Sequence, residues 1–488
     1  MNEYSPKRRT ALVFTGSGTS GAYHAGALKA LEESGVKIDL VVGSGAGAIA
    51  AAYAAVDGGA RLYGARGFWE RVRWRSFFRL RPAVLVVLSL LAASFVAFLL
   101  PAVLALLAGL LFPIVLIADR VSASGPSRFI DGLHIGPESL SGPYLAALSA
   151  PIFALALFAL VSGVVLAMRD RRRLAESFES IFDARPGQER LRRGLWEIAR
   201  GVTLSSGPPS EAELGRRYVA LVSENLGQPG FREMVLCTAD LDTGETLPFL
   251  VLAEVHRAAF RAAWGRASRA GGEVGPVAVD LLDPGHAELL FDAVVTGLLP
   301  PVALPVRRVA FPKGGPFAGQ THRLTDATLR AGSGVSEALA AGAEQVIVVS
   351  GAPETPAPAA RRRGPWARLD ATVSLLEGQA LERDVAEAER INRMVATLGH
   401  RVDDGSRGWQ DPATGRLYRE LALYVIRPSR RTLGPLEVGG ARDPATEVVQ
   451  TTADLLEQGY RDAGRLFVEP VLGGAPLPER EEAKVGGR

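Results

Sequence analysis

Cysteine is nearly absent from this chain of 488 residues. Cys237 stands alone, so no disulfide can form within the chain, and a small cross-linked secreted framework is excluded. A strong charge of either sign is also missing. The 55 Lys and Arg against 52 Asp and Glu leave a net charge of +3, too small to argue for a nucleic-acid partner. Wholesale disorder is excluded by 48% hydrophobic and 22% charged residues. The six histidines, the lone cysteine and the acids show no metal-ligand spacing, so neither a metal nor a cofactor is expected. There is no internal repeat. The opening MNEYSPKRRT leads straight into a strand-like segment, so no secretory signal is expected.

What the chain has in quantity is apolar sequence in two runs. Residues 83–118 are 36 positions without a charge and residues 144–168 are another 25, both above the roughly 18 to 20 that cross a bilayer. They are transmembrane candidates forming a hairpin. As one helix the first would be about 54 Å long, well beyond a hydrocarbon core of about 30 Å. Pro101, Gly109 and Pro113 are therefore expected to kink it, or part of it to re-enter. Arg71, Arg73, Arg75, Arg79 and Arg81 precede the first run, and Arg169, Arg171, Arg172 and Arg173 follow the second. Positive flanks stay inside. Both termini are thus expected in the cytoplasm, with the protein integral to an inner membrane and Trp69 and Trp74 at the interface.

On either side of that hairpin the pattern is α/β. Thr10 to Thr15 reads as a buried strand, Ala22 to Ser34 as a helix closed by Gly35, and Ile38 to Val42 as a β-branched parallel strand leading into a second helix. Strand candidates resume at Met234 to Ala239, Leu247 to Leu252, Val306 to Phe311 and Gln345 to Ser350. From Asp370 to Leu398, Val373, Leu376, Leu381, Val385, Ile391 and Val395 share roughly one helical face, which predicts core packing. The expected organisation is a first α/β part at 9–66, a membrane insertion at 67–200, a second α/β part at 201–472 and a disordered tail at 473–488.

Two glycine-rich turns carry the chemical interest. GSGTSG, Gly16 to Gly21, follows the first strand and opens the first helix. It fits a dinucleotide fingerprint, but the acid that would hold a ribose is missing from the end of the second strand. The same backbone geometry serves as an oxyanion hole, with amide donors at Gly16, Ser17, Gly18 and Gly21. The second turn, Gly43-Ser44-Gly45-Ala46-Gly47, has the outer glycines of a G-x-S-x-G elbow. Its central position is Gly45, and the only hydroxyl, on Ser44, comes one residue early.

With VFTGSGTSGAYHAGALKALEE, VVGSGAGAIAAAYA, VLCTADLDTGETLPF, VVTGLLPPVALP and HRLTDATLRAGSGVSEALAAGAEQVIVVS in this order, the chain resembles the patatin-like phospholipases. The resemblance implies a three-layer α/β/α fold with a mainly parallel central sheet, here interrupted by the transmembrane hairpin. It implies acyl ester hydrolysis by a Ser-Asp dyad, whose acid falls on Asp326 and whose serine falls on Gly45. The family's oxyanion-loop arginine falls on Ser20, and the glycine after its aspartate falls on Ala327. Glycine cannot attack an ester, although it accepts the strained dihedrals of an elbow without penalty. The reading that follows is a membrane-anchored pseudohydrolase of lipid metabolism that binds phospholipid or acyl lipid. The alternative is an active phospholipase or lysophospholipase using Ser44 with Asp326, against the plainer role for Ser44 of bonding neighbouring backbone. His24 is expected to pack rather than act as a base.

Overall fold

The structure is a computed structural model. It describes residues 4–64, 67–70, 72–81, 182–201, 207–269, 277–299, 304–329, 332–354, 365–401, 407–410, 417–429 and 449–473, with short stretches elsewhere, including 88–96. The chain divides into two compact units, Met1–Arg79 with Ala184–Arg488, and Leu80–Asp183.

The first unit is built on a nine-stranded sheet. β1 (Thr10–Gly16), β2 (Leu40–Gly45), β3 (Glu233–Asp240), β4 (Thr246–Val251), β5 (Val279–Asp280), β6 (Arg307–Ala310), β7 (Thr321–Asp326), β8 (Gln345–Ser350) and β9 (Ala422–Ile426) contribute to it. The path runs β9-β8-β1-β2-β3-β4-β5, with β7 paired to both β3 and β6. Its centre is parallel, as the β-branched strands predict: β9, β8, β1, β2 and β3 all run one way. β3 and β4 are antiparallel because the turn between them is too short for a crossover.

Alternation along these strands separates two faces. Ala11 and Val13 of β1, Leu40 and Val42 of β2, and Val235 and Cys237 of β3 form one core with Val335, Ala338, Leu381 and Ala388. The last four lie on α5 (Val335–Ala340) and α6 (Pro365–Leu398). The other face meets α2 (Gly47–Ala54), every residue of which is buried. A helix without a polar side suits an interior position. At Gly43 an added Cβ would lie 2.6 Å from Ala48 Cα, so glycine lets α2 sit directly on the strand. α1 (Ser20–Glu33) and α7 (Thr452–Ala463) cross so closely that a Cβ at Gly26 would overlap the Leu456 carbonyl, and one at Gly459 that of Tyr23. Thr451 and Asp454 form a capping box that starts α7. α3 (Arg185–Ala199) and α4 (Glu211–Asn225) belong to the same unit.

The architecture is thus three layers around a mostly parallel sheet, as expected. Two expectations need correction. Trp69 is no interface anchor: it is 2% exposed and stacks on Phe77 at 5.5 Å, since the adjoining segment folds back as an aromatic cluster with Phe68. Leu376, counted on the buried stripe of α6, is 39% exposed.

Of the second unit, the candidate spans 83–118 and 144–168 lie largely outside the described residues. Among the described residues no helix is long and apolar enough to cross a membrane, so the hairpin has no support from the structure. The described positions in these runs include Leu91, Phe95, Val96, Leu106 and Phe158, all helical and at least 60% exposed. The expected tail at 473–488 also lies, from 474 on, outside the described residues.

Candidate active site

Parallel pairing of β1 and β2 in register sets Gly16 beside Gly45, so both glycine turns emerge at the same edge of the sheet. β7 reaches that edge from the opposite direction, pairing Asp326 with Thr238 of β3, and delivers its final residue to the turns. Three segments distant in sequence thereby converge. Gly16, Gly18 and Gly45 all have positive φ, at 138°, 55° and 60°, conformations that glycine adopts freely and other residues rarely.

Asp326 is fully buried, and both of its oxygens are engaged. Oδ2 accepts the Ser17 hydroxyl at 2.7 Å. Oδ1 accepts the Thr328 amide at 2.8 Å and the Thr328 hydroxyl. Burial raises this carboxyl to about 6, and the hydrogen bonds from Thr328 and Ser17 oppose the rise.

Gly45 stands where the sequence places it, against the acid. A Cβ at this position would lie 2.6 Å from Asp326 Oδ1 and 2.7 Å from the Gly16 carbonyl, and would overlap Thr328 Oγ1. The space of a serine side chain is therefore already taken, and the hydroxyl occupying it comes from Thr328. Sequence reading missed Thr328 because a threonine two residues after an aspartate has no signal of its own.

Ser44 is not brought to Asp326. It continues the Leu40 and Val42 side of β2, the side that packs toward α5 and α6. Its hydroxyl is buried without a hydrogen-bond partner among the described residues. The one-residue offset is decisive because adjacent strand residues face opposite ways.

Two of the candidate oxyanion donors, the Ser17 and Gly21 amides, are already committed within the chain. The Ser17 amide donates to Glu377 Oε1 at 2.7 Å. The Gly21 amide donates to the Gly18 carbonyl at 3.3 Å, and the amide following the vacant position, that of Ala46, donates to the Gly16 carbonyl at 2.7 Å. Gly21 itself leaves room for the ring of Trp69. His24 is wholly buried, its Nε2 3.0 Å from the Thr15 carbonyl, which is the packing role expected.

Glu377 was hidden in the sequence for an instructive reason. The buried stripe of α6 runs 370, 373, 377, 381, 384, 388 and 395, and three of its members are the acids Asp370, Glu377 and Asp384. An apolar-only count passes over them. Their seven-residue spacing puts all three on one face. Asp384 accepts the Ser333 amide at 2.6 Å and its hydroxyl at 2.9 Å.

The expectation of no metal-ligand cluster also needs amending. Pairing of β3 with β7 brings Asp240, Asp242 and His322 together, with one ligand atom of each within 4.8 Å of the others. These groups already bond locally: Asp240 Oδ2 meets His322 Nδ1 at 2.7 Å, and Asp242 takes the amide of Arg323 at 2.7 Å and its guanidinium.

A crystal structure of VipD from Legionella pneumophila is similar at 13% identity and a TM-score of 0.32, covering 95% of this chain and 67% of that one. No curated protein matches. The model of the patatin-like phospholipase family matches residues 12–199, from β1 through both glycine turns to the end of α3. Asp326 lies beyond those residues. The match to the patatin-like phospholipase family thus takes in both glycine turns, at residues 12–199.

Proposed function

We propose that this protein is a lipid-associated pseudohydrolase, held at the cytoplasmic face of an inner membrane by the apolar runs 83–118 and 144–168. The observation that carries the reading is the vacant attack position. Gly45 faces Asp326 with no reactive oxygen of its own, and the Thr328 hydroxyl lies where one would stand. An acyl-enzyme needs a nucleophile beside its base and donors free for the developing oxyanion. Here the Ser17 and Ala46 amides are engaged within the protein. The membrane part rests on the apolar sequence, its arginine flanks and the exposure of the described apolar side chains. The ligand in this reading is a phospholipid or acyl lipid.

The rival is an active acyl ester hydrolase. Ser44 does not reach the acid, so a hydrolytic route would have to run through Ser17 or Thr328, the two hydroxyls that Asp326 holds. The two readings separate with a fluorophosphonate probe and a p-nitrophenyl acyl ester on the purified full chain. The expected outcome is neither labelling nor turnover. Labelling lost in Ser17→Ala or Thr328→Ala, with turnover lost in the same variant and in Asp326→Ala, would establish the enzyme instead.

A further inference from the structure

Among the buried groups that the pseudohydrolase reading leaves without a use is the carboxylate of Glu377. It is 4% exposed, reaches out of α6 and accepts the Ser17 amide at 2.7 Å. Ser17 in turn gives its hydroxyl to Asp326, so one residue bridges two buried carboxylates. A buried carboxylate is costly unless hydrogen-bonded, and an oxygen on a loop amide next to the dyad acid mimics the oxyanion that such a loop receives in a working hydrolase. Resting on that reading, we propose that the Ser17 amide is a carboxylate-binding position beside Asp326 kept filled by the chain's own Glu377, which shuts exogenous acyl anions out of it.

Other contacts hold α6 in place independently. Asp384 is bonded to Ser333, Leu381 is fully buried, and Asn392 exchanges two hydrogen bonds of 2.8 Å with the Leu421 backbone. Removal of the Glu377 side chain is therefore expected to leave a folded protein with an unfilled position at Ser17. The cleft lined by Thr19, Ser20, Tyr23 and Leu455 does not provide the site, since neither Ser17 nor Asp326 lines it.

Chemical rescue tests the proposal. Acetate replaces the CH2–COO⁻ end that Glu377→Ala removes, and acetamide has the same shape without the charge. Glu377→Ala in the full chain is expected to melt below wild type and to regain about 2 °C with acetate but not with acetamide, while wild type responds to neither. Equal response to both compounds, no response to either, or a variant that melts with wild type would overturn the proposal. Should Glu377→Ala aggregate, Glu377→Gln decides by hydrogen exchange. Loss of the charge-assisted bond should speed exchange at the Ser17 amide about tenfold, and an unchanged rate would overturn the proposal. Fluorophosphonate labelling of Glu377→Ala at Ser17 would defeat the pseudohydrolase reading while leaving the seal intact, whereas failed rescue would do the reverse.

Discussion

At residue 45 the loss of a nucleophile is bound up with its surroundings. A serine restored there would need a positive φ that costs about 1 kcal/mol or more and would collide with Thr328, an overpacking worth about 1 to 3 kcal/mol. Gly45→Ser is therefore expected to lower stability by about 2 to 4 kcal/mol in urea unfolding. Adding Thr328→Ala should recover part of that loss, because it removes the overlapping hydroxyl. Were Gly45→Ser as stable as wild type, Thr328 would not be filling the vacated space. Labelling should stay absent in Gly45→Ser, because the Ala46 and Ser17 amides remain engaged. A family motif with its serine restored is thus not expected to be a working site.

Among the elements, the α1–α7 crossing is the contact most exposed to a single change. Gly459 faces the Tyr23 carbonyl with no room for a methyl group, and Gly26 repeats this against Leu456. Backbone atoms cannot step aside as a flexible side chain can. Gly459→Ala is expected to cost about 3 kcal/mol, at the upper end for overpacking, read from the urea midpoint. A cost within about 0.5 kcal/mol, the scale of ordinary surface changes, would mean that the helices lie farther apart. The crossing matters to the site because α1 begins at the glycine loop, and its placement sets where Ser17 points.

For the whole molecule, membrane topology is the property to measure. Cysteines introduced between Arg120 and Pro143 should react with an impermeant thiol reagent from outside intact cells, while cysteines near Arg61 or Arg363 should not. Cys237 contributes little background because it is buried and its thiol is held well above its ordinary pKa by burial. The opposite labelling pattern would refute the orientation argued from the arginine flanks. Equal labelling of all positions would refute the hairpin.

The sequence by itself determined the local features whose causes are local. Continuous apolar runs became β1, β2, β3, β4 and β8 within three residues at either end, and Gly16, Gly18 and Gly45 of the two turns took positive φ. The absence of a serine at residue 45 needed no coordinates, and neither did the choice of Asp326 as the candidate acid. Tertiary structure alone decided what surrounds that absence. Ser17 comes to Asp326, and Glu377 to the Ser17 loop, from segments separated by as many as 360 residues. No local pattern encodes contacts between such segments, because they arise from strand order and helix packing. The face of Ser44 was fixed in the same way, since a side chain one step along a strand points to the other side of the sheet.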